Sequence, residues 1–308
     1  MTSTLIEQFR SSTLPRGIIV AMMTPTDGQG QLMPGVVRDH LKVLKSHRVD
    51  GIMAMGTTGE FPHLSLETRI QFLDLVAEHS EGLPILSNIS HVNPAFAIEL
   101  AKRSRIAQAI GVAVMPPYFY PITQEDLGEF LVRVTEPSGL PVWLYNFPER
   151  CGTRLELETI AWVADRVPMV GIKQSGGEFS YHADLVALGV EKGFAVFTGS
   201  DPRLAEAMWL GVRGCIGGMG NAVGDVKADL FEGFLRGDAA AVELRTAQLK
   251  AIAALIDCFP FPLNIVAMME ARRLPTGVPK SMHAPATWVL YQKLVADLRQ
   301  LYLDFGLV

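Results

Sequence analysis

Residues 169–177 read MVGIKQSGG, a short apolar run after Pro168 that is interrupted by one lysine and closed by a glycine pair. An apolar run of this length ending at glycines has the marks of a parallel strand, buried on both faces, that stops at a loop. Side chains alternate along a strand, so Met169, Gly171, Lys173 and Ser175 share one face, and Lys173 is expected to point where Gly171 leaves room. Lys42, Lys45, Lys102, Lys192, Lys227, Lys250 and Lys293 instead lie among polar neighbours in helix-like segments, where solvated positions are expected. A poorly hydrated ammonium favours the neutral amine, a nucleophile able to form an imine with a carbonyl. A lysine that snorkels out of the strand end, or pairs with a carboxylate, fits the same stretch.

Similar apolar runs recur near 17–26 (GIIVAMMTPT), 51–58 (GIMAMGTT), 84–90 (PILSNIS), 111–116 (GVAVMP), 141–146 (PVWLYN), 194–199 (FAVFTG) and 214–218 (GCIGG). Helical patterns with recognisable starts lie between them. Ser65 precedes ETRIQFLDLVAEHS, Asn93-Pro94 precedes AFAIELAKRS, and Thr123 with Asp126 opens QEDLGEFLVRV. Asp201-Pro202 opens RLAEAMWLG, which Gly211 closes. Strand and helix alternating eight times predict an α/β fold, a (β/α)8 TIM barrel over residues 1–236. A doubly wound open sheet would carry an early phosphate fingerprint; no GxGxxG follows the first strand, and GGMGNAVG at 217–224 has other spacing and comes after the eighth. Beyond residue 236 the alternation stops. AAAVELRTAQLKAIAALIDCF, NIVAMMEARRL and APATWVLYQKLVADLRQLYLDF predict a C-terminal helical extension, residues 237–308, that packs on the barrel or joins subunits.

The chain has 308 residues, 49% hydrophobic and 19% charged, enough for a sizeable core, which excludes a disordered or fibrous protein. A net charge of -5 from 27 basic and 32 acidic residues gives no reason to expect nucleic acid or an anionic membrane as partner. Cys151, Cys215 and Cys258 have no CxxC spacing, which argues against a disulfide framework or a structural zinc and fits a reducing cytoplasm. The N-terminus lacks an apolar signal core, and no run approaches the roughly 20 apolar residues of a membrane helix. The N-x-S sequence at Asn88 is read as chance.

In such a barrel the strand ends face the active site. The second strand ends in Gly56, Thr57, Thr58, Gly59 and Glu60, whose hydroxyl and backbone donors can hold a carboxylate, or which form an ordinary glycine turn with a threonine cap. The fifth ends in Tyr145, able to shuttle a proton, with Arg150 offering a fork for a carboxylate; a core tyrosine and a solvated arginine fit equally. The seventh and eighth end in Thr198, Gly199, Ser200 and Asp201 and in Gly217 and Gly218. Barrels often bind phosphate at these two loops, so a phosphosugar isomerase stays open, although neither loop has a basic residue.

GTTGE at 56–60, YNFPERCG at 145–152 and GIKQS at 171–175 together resemble the family of dihydrodipicolinate synthase and N-acetylneuraminate lyase, the class I Schiff-base aldolases, over nearly the whole chain. The resemblance implies a catalytic set of Lys173, Tyr145 and Thr57, with Lys173 forming the imine and Tyr145 relaying protons. It implies substrate binding by Gly56, Thr58, Arg150, the Ile216 carbonyl, Tyr118 and Tyr120, and neither metal nor cofactor beyond the imine itself. In the synthase branch an arginine at the place of Arg150 binds the carboxylate of the aldehyde substrate. The family's loop after the fourth strand offers a tyrosine to the neighbouring subunit's proton relay; PPYFYP puts Phe119 there, flanked by Tyr118 and Tyr120. Phe96 replaces an acidic residue typical of lysine-regulated synthases, and Phe61, Pro62 and His63 differ from the small residues common in that branch. The expected activity is a Schiff-base lyase, aldolase or dehydratase, on a pyruvate-type 2-keto acid such as a 2-keto-3-deoxy sugar acid. The alternatives are dihydrodipicolinate synthesis from pyruvate and aspartate semialdehyde, or a catalytically impaired ligand-binding barrel. The resemblance further implies a homotetramer, and the expected partner is a small-molecule 2-keto acid.

Overall fold

The computed structural model describes residues 2–308. Eight parallel strands, β1 (Gly17–Ala21), β2 (Gly51–Ala54), β3 (Ile85–Asn88), β4 (Gly111–Val114), β5 (Val142–Asn146), β6 (Met169–Gln174), β7 (Ala195–Thr198) and β8 (Gly214–Gly217), close into a barrel in sequence order, with β8 pairing back onto β1. Runs such as GIIVA and GVAV are buried at every residue, because the barrel interior covers one face and helices the other. Several strands are shorter than their apolar runs. After Ala21, for example, the chain leaves the ladder and its remaining residues build the loop above the barrel.

The outer layer is α2 (Pro34–Ser46), α3 (Leu66–His79), α4 (Pro94–Ile106), α5 (Gln124–Thr135), the short α6 (Pro148–Cys151) with α7 (Leu157–Ala164), α8 (Tyr181–Lys192), α9 (Leu204–Trp209) and α10 (Gly220–Arg236); α1 (Thr2–Ser11) precedes the barrel. Ser65, Asn93 and Thr123 cap α3, α4 and α5 by accepting the N–H of Thr68, Ala95 and Asp126 at 3.1, 3.0 and 3.1 Å. Asp201 does not cap α9. A 3-10 turn, Asp201–Arg203, intervenes, and the carboxylate is directed inward to a partner described below.

Inside the barrel Trp143 of β5 packs edge to face on Phe197 of β7, ring centroids 4.9 Å apart. The indole lies over Gly171 of β6, where a Cβ would collide with it. The space at Gly171 therefore belongs to Trp143 rather than to Lys173.

Three further helices follow α10: α11 (Ala239–Ile256), α12 (Leu263–Ala271) and α13 (Pro285–Asp304). Arg272, just after α12, forks onto Asp225 of α10 at 2.9 and 3.0 Å and also donates to the Ala222 and Leu307 carbonyls. Tyr291 of α13 donates to Glu270 of α12 at 2.6 Å. The segment between α12 and α13 crosses above β1, where Val278 N–H donates to the Thr26 carbonyl at 2.8 Å. Among the described residues no helix is long and apolar enough to cross a membrane.

Candidate active site

Tyr145 and Lys173 are partners in register on β5 and β6, so both side chains point into the barrel at its C-terminal end. The Lys173 Nζ lies 4.1 Å from the centroid of the Tyr145 ring. Lys173 is only 6% exposed, and among the described residues no carboxylate lies within ion-pairing distance of it. Room for its stem is made at Gly199 after β7, where a Cβ would stand 3.1 Å from Lys173 Cε and collide with Ser175. On the outer side of the same strand ends, Asn146 Nδ2 donates to Gln174 Oε1 at 2.7 Å, and Asn146 Oδ1 accepts the Leu155 N–H at 2.9 Å. These buried carboxamides lock β5 to β6 immediately beyond the two inward residues, which fixes the amine relative to the phenol.

The loop after β2 is a tight turn, with Gly59 and Glu60 N–H donating to the Gly56 and Thr57 carbonyls at 3.0 Å each. It brings the Thr57 hydroxyl to 3.1 Å from the Tyr145 hydroxyl. Thr58 is buried against Gly218 after β8, while Ile216 is buried on β8 beside Ile19 of β1. Glu60 takes a left-handed backbone, φ 57°, and its carboxylate receives the backbone N–H and the ammonium of Lys280. Burial lowers the Lys280 pKa, an effect that Glu60 partly opposes. Lys280 stands in a proline-punctuated segment without helical period, which left the sequence no signal for this contact.

Above Thr57 opens a cavity of about 240 Å³ lined by Phe61, Met115, Tyr118, Arg150 and Phe261 among others. The Arg150 guanidinium lies 5.7 and 5.8 Å from the Phe147 and Phe261 rings, exposed and without a carboxylate partner among the described residues. Its neighbour Glu149 turns away to accept the Gly177 N–H at 2.6 Å, tying the glycine pair after β6 to α6. Tyr118 meets Phe61 edge to face at 6.0 Å, and burial raises its phenol pKa against the effect of Arg69. Phe119 and Tyr120 pack on each other at 4.9 Å but are 83% and 74% exposed, so Tyr120 stands outside the cavity of its own chain. Phe119 has φ 88°, a costly backbone for a bulky side chain. A larger groove of about 480 Å³, between α1 and α8 at the other end of the barrel, holds none of the strand-end residues.

Lys227 is the lysine the sequence misplaced. It is wholly buried on α10, ion-paired to Asp201, with Cys215 Sγ 3.4 Å from its Nζ. Burial works against the ammonium, but Asp201 and Cys215 hold its pKa above the ordinary lysine value. Burial likewise pushes the Cys215 thiol up to about 12. The apolar stripe Val223, Val226, Leu230, Phe231 and Phe234 includes the position of Lys227, and that helical spacing was the missed signal. Asp201, which also accepts the Met219 N–H at 3.2 Å, neutralises the Lys227 ammonium brought beside the loops after β7 and β8.

The family model described as "Dihydrodipicolinate synthetase family" matches residues 14–301. A 4-hydroxy-tetrahydrodipicolinate synthase of Pseudomonas putida (strain W619) is 28% identical over 289 residues, 92% of this chain and 97% of that protein. Among solved structures, YagE, a prophage protein of the dihydrodipicolinic acid synthase family from E. coli K12 in complex with pyruvate, matches with TM-score 0.86 and 26% identity over 95% of this chain and 99% of its own. The dihydrodipicolinate synthase of Acinetobacter baumannii complexed with pyruvate matches with TM-score 0.85 and 25% identity over 95% and 99%. The chain belongs to the dihydrodipicolinate synthetase family, and is thereby a Schiff-base-forming lyase of the class I aldolase type acting on pyruvate-type 2-keto acids.

Proposed function

We propose that Lys173 forms the imine with the keto carbon of a 2-keto-3-deoxy acid, and that Tyr145 and Thr57 carry the protons of that chemistry. The observation that supports this most is the buried Lys173 amine, with no carboxylate in ion-pairing distance among the described residues and set against a phenol whose hydroxyl meets Thr57 at 3.1 Å. The neutral amine adds to C2, and Tyr145 protonates the departing hydroxyl, which leaves as water. In the protonated imine the C3–C4 bond breaks as the C4 hydroxyl loses its proton, and the electron pair is held as an enamine. An aldehyde departs, C3 is protonated, and water releases pyruvate and the amine. The hydroxyl and amides of Thr57 and Thr58 hold the carboxylate end, where fixed donors stabilise charge without reorganisation, and the Ile216 carbonyl lines the site. A 2-keto-3-deoxy sugar acid is one such substrate.

Arg150 favours a second possibility, the condensation of pyruvate with aspartate semialdehyde, because its unpaired guanidinium at the cavity mouth matches a second carboxylate. A barrel that binds pyruvate without turnover is favoured only by Phe119, which has no proton to pass. We further propose a cytoplasmic homotetramer that needs no cofactor, with the imine as electron sink. The three unpaired cysteines agree with the compartment, and the exposed Phe119–Tyr120 pair agrees with a subunit contact.

Pyruvate with borohydride should leave one reduced adduct on the peptide containing Lys173 and none in Lys173→Ala. Intact protein that gives no adduct overturns the proposal. A phosphosugar isomerase would instead keep its activity in Lys173→Ala.

A further inference from the structure

Two residues with left-handed backbone bracket the loop after β2, Met55 at φ 59° and Glu60 at φ 57°. Neither is a glycine, so each holds this conformation at a cost that its surroundings must offset. Glu60 is held by Lys280. Met55 is held from another side: its carbonyl accepts the side-chain amide of Asn88, at the end of β3, with Nδ2 2.6 Å away.

The orientation of that amide follows from its other contacts. Ser90 Oγ accepts the Met115 N–H at 3.0 Å, so its own proton goes to Asn88 Oδ1, 2.6 Å away, and the nitrogen end of the amide faces Met55. The backbone of the same segment is fixed from α3. Arg69 donates to the Asn88 carbonyl at 2.7 Å and to the Ser90 carbonyl at 2.9 Å, with its guanidinium 5.0 Å from the Phe61 ring. Met55, Arg69, Asn88 and Ser90 are all buried, so these bonds act at low dielectric and a lost partner is not replaced by water.

β2 ends at Ala54. The left-handed turn at Met55 bends the chain off the strand line, and the loop then crosses the barrel mouth and brings the Thr57 hydroxyl to 3.1 Å from that of Tyr145. With Met55 in the extended backbone that a long side chain prefers, the chain would run on along β2 and carry Thr57 away from the phenol.

We propose that Asn88, oriented by Ser90 and Arg69, is a positioning residue for the imine chemistry: its amide holds Met55 left-handed and thereby aims Thr57 at Tyr145. This role rests on Lys173, Tyr145 and Thr57 acting as proposed above, and it extends the site to buried residues of α3 and of the β3 end that act through the backbone of the loop.

The test uses the full-length protein with pyruvate alone in D2O. Through the imine and its enamine a C3–H bond breaks and a C3–D bond forms, with no net oxidation or reduction, and NMR follows the methyl signal. Wild type, Thr57→Val, Asn88→Ala and the double variant are compared, each with its melting temperature and with borohydride trapping on Lys173 in parallel. Asn88→Ala should lower kcat for exchange by about tenfold to a hundredfold, the scale on which a displaced group acts. Added to Thr57→Val, the same change should cost about threefold or less, because the hydroxyl it aims is already gone. Should Asn88→Ala not fold, Ser90→Ala, which frees the amide to turn, takes its place in the cycle. A wild-type exchange rate in that variant, or an undiminished loss in the Thr57→Val background, overturns the positioning role while the imine stands. A wild-type rate in Thr57→Val removes Thr57 from the proton path, and the role of Asn88 falls with it. A wild type that neither traps nor exchanges overturns the imine itself.

Discussion

Glu60, in the loop after β2, and Lys280, in the segment between α12 and α13, form a buried ion pair, Nζ to Oε2 3.3 Å, across 220 positions of sequence. Lys280 also donates to the Thr24 carbonyl above β1 at 2.8 Å. The C-terminal extension is thus fastened to the loop whose Thr57 meets Tyr145. Lys280→Met would leave a buried carboxylate with only a backbone donor, at a cost of roughly 3 kcal/mol. Urea denaturation should show that loss, steady-state kinetics a raised KM for pyruvate, and Glu60→Gln added to Lys280→Met should restore part of the stability.

Tyr145→Phe keeps the ring beside Lys173 and removes the hydroxyl that meets Thr57. Loss of a positioned proton donor lowers kcat by about 100- to 10,000-fold. The expected result is a stable protein, judged by its melting temperature, that forms the borohydride-trapped adduct slowly. A rate near wild type would remove Tyr145 from the proton path.

Lys227 and Asp201 are buried together, so breaking the pair differs from replacing it. Lys227→Met should cost roughly 3 to 5 kcal/mol, because an unpaired carboxylate remains inside, whereas Lys227→Met with Asp201→Asn should recover much of that. Chemical denaturation of wild type, single and double variants completes the cycle. Equal stability of single and double variants would show that the charge on Asp201 is not the cause.

His40 is fully buried beside Asn221, its Nε2 2.9 Å from Oδ1, and burial lowers its pKa from 6.5 to about 4. Burial also lowers the pKa of His47 and of His182. Between pH 6.5 and 4 the unfolded chain therefore binds protons that the folded chain refuses, so stability is present above 6.5 and falls as the pH falls. His40 alone contributes roughly 3 kcal/mol to that loss. Thermal melts from pH 7.5 to 4.5 should show a falling melting temperature, with a shallower slope in His40→Gln.

The barrel was legible because its signals are local. Eight apolar runs, the caps at Ser65, Asn93 and Thr123, and proline-punctuated helices after residue 236 each report on their own few residues, and period-two alternation sufficed to place Lys173 and Ser175 on one face. The carboxamides Asn146 and Gln174, the partner of Glu60 and the burial of Lys227 were not legible, because each depends on what another element brings alongside. Gly171 shows the limit at a single residue: alternation gave its face correctly, but which side chain fills the space above it was decided by the β5 register, which places Trp143 there.

The alternation of strands and helices, the lysine among apolar neighbours and the order of strand-end motifs could all be read from the residues in line, since hydrophobic period and turn chemistry act over a few residues. It took the folded barrel to set this lysine against a phenol with no carboxylate in ion-pairing distance among the described residues, to bring Tyr118 rather than Tyr120 into the cavity, and to fasten the extension to the loop after β2. Those outcomes rest on barrel closure and strand register, which set distances between residues far apart in the chain, and no local preference encodes such distances.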